Sequence, residues 1–259
     1  MQRDPESHKG ENGKVAIIGG SRHQHGAPLF CALAAEKSGV DLVYVSLPHC
    51  HEEVAKNTSL NFQVHAFAGE EIARSDIESI LELLATMDSA VIGPGIWRNA
   101  KTISVLESII ASASCPLVLD ASALQPFTLP ALRGKPAILT PHRGELERMG
   151  LTEDALPTLA DESGVTIILK GLCDRIFGPG EQTEISGGNA GLTVGGTGDA
   201  LAGLLAGLVA QKLSPFEAAL LACTTMKKAG EFLFEEQGFS YTARDVIKRI
   251  PFLLKGTNI

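Results

Sequence analysis

Short apolar runs punctuate the chain at Val15–Ile18, Leu42–Leu47, Ala90–Ile92, Leu117–Leu119, Ala137–Leu139 and Thr166–Leu169. Most are apolar throughout rather than alternating. Strands buried on both faces have that pattern, as in a parallel sheet covered by helices. Helical patterns lie between them, near Ala27–Ser38, Ile77–Thr86 and Lys101–Ala111. Such a βαβ series predicts an α/β fold: a central, mostly parallel sheet with helices on both faces. After Lys170 the pattern changes. Arg175–Phe177 and Thr183–Ile185 flank Gly178-Pro179-Gly180-Glu181, which predicts a β-hairpin. The remainder is helical, with a capping box at Ser214-Pro215-Phe216-Glu217 and a second capped start at Thr242 with Asp245.

The residues just after each run narrow the search for a site. The runs lead into Gly19-Gly20-Ser21, Gly93-Pro94-Gly95, Asp120-Ala121-Ser122, Thr140-Pro141-His142-Arg143-Gly144-Glu145 and Lys170-Gly171. Small and polar residues therefore gather at the carboxyl ends of the strands, where open α/β sheets bind ligands.

The most informative segment is Gly195-Gly196-Thr197-Gly198-Asp199. It precedes Ala200–Gln211, which is apolar on nearly every face and so predicts a buried helix. A glycine turn opening such a helix presents unpaired N–H groups and the positive end of the helix dipole, which together make an anion site. An acid beside an anion site is explained if its carboxylate takes a proton from a substrate hydroxyl while the backbone holds a transferring phosphoryl group. A plain helix cap would not need three glycines in the four preceding positions. The turn is neither a Walker A motif nor a dinucleotide GxGxxG, since it lies late in the chain.

Bulk properties exclude several classes. The chain has 259 residues and a formal net charge of -8, so a nucleic-acid partner is not expected. Its five cysteines are scattered, which argues against a disulfide framework or a thiolate metal site and suits a reducing cytoplasm. No apolar run has membrane-spanning length, so no membrane partner is expected. Residues 1–13 read as a mobile extension and 14–259 as a single catalytic domain. His23, His25, His49 and His51 do not match a zinc pattern.

Single residues keep two readings at this level. His142 either lines a pocket or bridges its loop. Lys170 either contacts a phosphate or pairs with an acid. Asp120 either holds Mg²⁺ through water or bonds to loop backbone, and Glu145 either orients metal and water or sits in the first turn of a helix. Trp97 either stacks on a ring or packs on the surface.

The ordered set of motifs resembles the ribokinase-like superfamily, and within it the ADP/ATP-dependent NAD(P)H-hydrate dehydratases. The matching pieces are Gly19-Gly20-Ser21 with Gly26-Ala27-Pro28, Gly93-Pro94-Gly95, Leu119-Asp120-Ala121, Thr140-Pro141-His142 with Gly144-Glu145, Lys170-Gly171, and Asn189 through Asp199. The resemblance implies repair of hydrated NADH and NADPH (NADHX and NADPHX). ADP or ATP phosphorylates the C6 hydroxyl, and phosphate is then eliminated. It implies Asp199 as the base and Gly196, Thr197 and Gly198 as the anion hole. It places Ala27, Gly95, His142, Asn189 and Asp199 at the hydrated nucleotide. It places Lys170, Gly171, Leu172, Cys173, Asp174 and Gly198 at the adenine nucleotide. Mg²⁺ would accompany the phosphates without a direct protein ligand, reached through water from Asp120 or Glu145. Relatives of this kind imply a homo-oligomer. The chain departs from the family at Arg22-His23-Gln24-His25, Ile96-Trp97, Ser122 and Arg143, all on the substrate side. The competing expectation is a small-molecule alcohol kinase of the same superfamily, of the thiazole-alcohol kinase type.

Overall fold

A computed structural model describes residues 4–132 and 134–255. The strands are β1 Lys14–Ile18, β2 Leu42–Ser46, β3 Phe62–Val64, β4 Ser89–Ile92, β5 Leu117–Leu119, β6 Ala137–Leu139, β7 Thr166–Leu169, β8 Asp174–Gly178 and β9 Glu181–Ile185. They form one sheet in the order β3-β2-β1-β4-β5-β6-β7-β8-β9. The pairs from β3 to β7 are parallel. The predicted hairpin supplies the two antiparallel strands at the far edge.

The apolar runs are continuous because both sheet faces are covered. Val15, Ile17, Val91, Val118 and Ile168 point into one core, beneath α1 (Gly26–Lys37), α8 (Thr197–Ala210), α9 (Pro215–Gln237) and α10 (Ala243–Leu254). Ala16, Ile18, Ile92, Leu119 and Leu139 point into a second core. That core is roofed by α3 (Ile77–Leu84), α4 (Ala100–Ser112), α5 (Thr128–Leu132), α6 (Arg143–Arg148) and α7 (Leu156–Ser163). The period of two along each strand divides its side chains between the cores.

Some elements escaped the sequence pattern. Strand β3 has three residues with exposed Gln63 at its centre, too few for a period to register. Helices α5 and α6, of five and six residues, are shorter than two turns and carry no usable periodicity. The segment expected to be a mobile extension is only partly described, from Asp4 onward. There the backbone N–H groups of Gly10 and Asn12 donate to Asp41 Oδ2, at 2.8 and 3.1 Å. Residues 1–3 lie outside the described residues. No described helix is long and apolar enough to cross a membrane.

Two features position the site. The chain leaves β1 toward β2 and β3, then returns to place β4 on the other side of β1. The turns after β1 and β4 stay bonded, the Gly20 N–H donating to the Pro94 carbonyl at 2.8 Å, and together they wall one side of a crevice at the carboxyl ends of the strands. Second, α8 crosses this sheet fully buried from Ala200 to Ala210, with Ser89 Oγ donating to the Ala206 carbonyl at 2.7 Å. Ser89 begins β4, so α8 runs antiparallel to the strands and its first turn meets the crevice. The approach of α8 to α1 depends on Gly203: a Cβ there would collide with the Cys31 carbonyl. A carbonyl in a helix cannot rotate away, so Gly203→Ala must push the two helices apart. Overpacking of this kind costs roughly 1–3 kcal/mol. Thermal unfolding should show Tm lowered by about 3–10 °C. An unchanged Tm would contradict the packing described.

Candidate active site

The crevice collects four charged side chains from four separate segments. Asp120 directly follows β5, Lys170 follows β7, Glu145 lies in the first turn of α6, and Asp199 lies in the first turn of α8. Lys170 is the hub. Its Nζ stands 2.8 Å from Asp120 Oδ1 and 3.7 Å from Glu145 Oε2. Thr140 Oγ1 donates to the same Asp120 oxygen at 2.7 Å. The acid-pairing reading of Lys170 is thus observed. The same ammonium also reaches the glycine turn, since a Cβ on Gly198 would lie 3.7 Å from Nζ.

The local sequence explains why Glu145 sits here. His142 caps α6 in a reciprocal box. The Glu145 N–H donates to His142 Nδ1 at 3.2 Å, and Glu145 Oε2 accepts the His142 N–H at 3.0 Å. Accepting that bond puts any single imidazole proton on Nε2, which lies 3.6 Å from Glu145 Oε2. His142 is thus both a loop bridge and an exposed edge of the crevice.

Three carboxylates share one ammonium, and this sets the ionisation of the acid nearest the glycine turn. Burial and then repulsion from Asp120 push Asp199 up to about 7, Glu145 adding to the rise and Lys170 opposing it. For Lys170, burial favours the neutral amine, but Asp120, Glu145 and Asp199 outweigh it and raise its pKa. A carboxylate poised near neutrality is suited to general-base work.

The segment Gly196–Gly198, expected to form an anion hole, opens α8. Gly196 is the N-cap of α8 with φ +100°, a conformation that favours glycine, and a Cβ there would also lie 2.6 Å from the Phe30 ring. The N–H groups of Gly198 and Asp199 open the helix without an intrahelical acceptor. Thr197 plays an inward role: its Oγ1 donates to the Leu192 carbonyl at 2.7 Å, and its N–H to the Val194 carbonyl at 3.4 Å. Asn189, expected at the substrate, holds its own loop. Its Oδ1 accepts from Tyr241 OH at 2.6 Å and from the Gly191 N–H at 2.9 Å, and its Nδ2 donates to the Gly230 carbonyl at 2.7 Å.

The segment Lys170–Asp174 links β7 to β8 as a tight turn. Asp174 is buried and accepts the Gly171 N–H at 2.9 Å; Leu172 is 95% exposed at the tip, beside half-buried Cys173. Lys227, which sequence reasoning missed, fixes this turn from below. Its Nζ donates to the carbonyls of Gly171 and Leu172, both at 2.9 Å, and stands 3.4 Å from Asp174 Oδ2. Its only sequence signal is a lysine inside the apolar stretch of α9. On the opposite wall, Gly95 lies against Ala27, with 3.2 Å between a Cβ built at Gly95 and the alanine methyl.

This geometry can deprotonate a hydroxyl beside the glycine turn, whose open N–H groups suit an anion. The model of the NAD(P)H-hydrate dehydratase family matches residues 15–252, nearly the whole chain. The chain belongs to that family. It is 36% identical to an ADP-dependent (S)-NAD(P)H-hydrate dehydratase of Cenarchaeum symbiosum, over 98% of this chain and 92% of that one. A bifunctional NAD(P)H-hydrate repair enzyme of Methanothermobacter thermautotrophicus is 37% identical, over 97% of this chain and 51% of its own length. Among solved structures, an ADP/ATP-dependent NAD(P)H-hydrate dehydratase of Bacillus subtilis, co-crystallised with ATP and Mg²⁺, superposes with a TM-score of 0.82. It is 25% identical, over 97% of this chain and 92% of that one. A thiazole kinase of Pyrococcus horikoshii reaches a TM-score of 0.61 at 16% identity, a likeness of fold alone.

Proposed function

We propose that this dehydratase-family chain restores NADH and NADPH from their hydrates, with ADP or ATP converting the C6 hydroxyl into a leaving group. The observation that carries the reading is Asp199, whose ionisation lies near 7 in the first turn of α8, beside the open N–H groups of the glycine turn.

Hydroxide leaves a saturated ring carbon poorly, and phosphate leaves well. Asp199 takes the hydroxyl proton as the oxygen attacks the terminal phosphorus of the nucleotide. The open N–H groups of Gly198 and Asp199 and the ammonium of Lys170 face the charge that builds on the transferred phosphoryl oxygens. The nitrogen lone pair of the ring then expels phosphate with cleavage of the carbon–oxygen bond. Loss of a proton from the neighbouring ring carbon restores the double bond. With ADP the sum is hydrate plus ADP giving NAD(P)H, AMP and phosphate, so the atoms of the lost water leave in the phosphate and its proton.

The residues fit a magnesium ion carried by the nucleotide rather than one held by the protein. No cluster of three metal-ligating side chains occurs among the described residues, and Asp120 and Glu145 already accept from Lys170, Thr140 and the His142 N–H. These two carboxylates would hold the ion through its waters. When bound, it neutralises phosphate charge.

The products separate this reading from an alcohol kinase. Phosphorus NMR of a reaction with hydrated NADH should show inorganic phosphate rising in step with AMP or ADP. A phosphate ester that accumulates without free phosphate would move the assignment to the kinase.

A further inference from the structure

The substrate wall carries more chemistry than the reaction needs. A cleft of about 340 Å³ opens beside Glu145, between the segment Gly95–Arg98 and the end of α6. Its lining includes two cations, Arg98 and Arg148, and one carboxylate, Glu145. That carboxylate is already engaged by Lys170 and the His142 N–H. In a chain of net charge -8, these two guanidiniums repel each other across the cleft and share one carboxylate that is already engaged. Burial, and then the charge of Arg98, lower the pKa of Arg148, with Glu145 opposing. Arg148 Nη1 donates to the Ala121 carbonyl at 3.2 Å. Ala121 stands at φ +52°, a backbone state that costs free energy in a non-glycine residue and is typical of functional sites.

The cleft wall is braced, not loose. Ser122 Oγ donates to the Ile96 carbonyl at 2.6 Å, and Thr102 Oγ1 to the Trp97 carbonyl at 2.5 Å. Asn99 caps α4, accepting from the N–H groups of Lys101 and Thr102 at 2.9 and 3.0 Å. Trp97 and Arg98 are thus presented from a backbone fixed on both sides. Trp97 is half exposed at the rim, placed to stack on a planar ring. The volume is within the range of small-molecule sites and suits part of a dinucleotide whose reacting ring lies at Asp199.

We infer that Arg98 and Arg148 clamp a phosphate of the dinucleotide, with Trp97 stacking beside it, so that this cleft recognises the substrate half of the reaction. The inference rests on the dinucleotide reading of the substrate. A guanidinium pair matches phosphate oxygens in charge and geometry. That phosphate is either the bridging pyrophosphate, common to both hydrates, or the 2′-phosphate, present only in NADPHX.

Trp97 is the single tryptophan of the chain, so tryptophan emission reports on the rim of this cleft. NAD⁺ and NADP⁺, stable stand-ins for the hydrates, are titrated against the protein and against Arg98→Gln, with ADP and Mg²⁺ titrated in parallel. Arg98 is exposed, so this variant folds; Arg148→Gln is the second arm, with its Tm as a folding control. Each variant should weaken dinucleotide binding about tenfold or more and leave ADP affinity unchanged. Equal losses for both dinucleotides assign the pyrophosphate; a loss confined to NADP⁺ assigns the 2′-phosphate. Wild-type dinucleotide affinity in Arg98→Gln, an equal loss of ADP affinity, or no Trp97 response to either dinucleotide would overturn the inference. Binding is read without turnover. Failure here therefore leaves the dehydratase reading intact, and a failed product assay leaves the clamp standing.

Discussion

Asp199→Asn is expected to abolish the acid limb of the pH–rate profile, cut kcat by about 10²–10⁴, and make the protein more stable above pH 7. The rate effect follows from the missing base. Wild-type kcat should fall tenfold per pH unit below about 7, where Asp199 takes up its proton. The asparagine variant should show no such limb. Nucleotide affinity should survive, because the glycine turn and its N–H groups are untouched.

The stability effect has the opposite sign, for the same physical reason. In the unfolded chain Asp199 ionises near its ordinary value of 3.8, whereas in the fold it holds its proton to about 7. Between those values the folded state binds the extra proton, so raising the pH favours unfolding. The penalty is complete above pH 7 and absent below about pH 4. Converted at 1.36 kcal/mol per unit, it is on the order of 4 kcal/mol. Asparagine carries no charge to bury. At pH 8 its Tm should exceed the wild type by roughly 8–15 °C, and at pH 4 the two should nearly coincide. A fully active variant would remove Asp199 from the role of base. Equal Tm values at pH 8 would remove the buried charge.

Lys170→Met is expected to have the largest destabilising effect. The lysine is the one cation within 4 Å of both Asp120 and Glu145 among the described residues. Removing it leaves two buried carboxylates without a countercharge, and breaking a buried pair costs about 3–5 kcal/mol. Tm at pH 7.5 should drop by roughly 6–15 °C. Lys170 also opposes the rise of Asp199, so its loss should move the acid limb of kcat above its wild-type position near 7. A merely structural lysine would lower Tm but leave the limb in place, so the two readouts together tell the roles apart.

How much of this was legible in the sequence depends on the distance over which each signal acts. Strands buried on both faces write themselves as apolar runs, so β1, β2 and β4 through β7 could be located, and the Gly/Pro turn located the β8–β9 hairpin, whereas three-residue β3 at the edge could not. The helix starts at Ser214 and Thr242 were legible because a capping box is local: Glu217 N–H donates to Ser214 Oγ, and Asp245 accepts the Thr242 N–H. Asp199 was legible for the same reason, since the glycines that give it meaning adjoin it. Its ionisation was not, because the burial, Asp120 and Glu145 that raise it come from other strands and helices. Lys170 kept two readings until the structure placed its ammonium between Asp120 and Glu145. Asn189 matched a substrate position by resemblance, yet its amide is bound by Tyr241, Gly191 and Gly230, contacts no local pattern displays. Lys227, Arg98 and Arg148 left no motif at all. Each acquires its surroundings through the fold, Lys227 under the turn from β7 to β8 and the two arginines in the cleft beside Glu145.

The central claim is a dehydration driven by nucleotide at the Asp199 site. Its most direct test mixes the purified protein with hydrated NADH, Mg²⁺ and either ADP or ATP, and tracks the absorbance band of the reduced nicotinamide. The predicted result is a rise that requires nucleotide, identifies the donor by which nucleotide supports it, and is lost in Asp199→Asn. No rise with either nucleotide, from folded protein that still binds ADP or ATP, would contradict the claim.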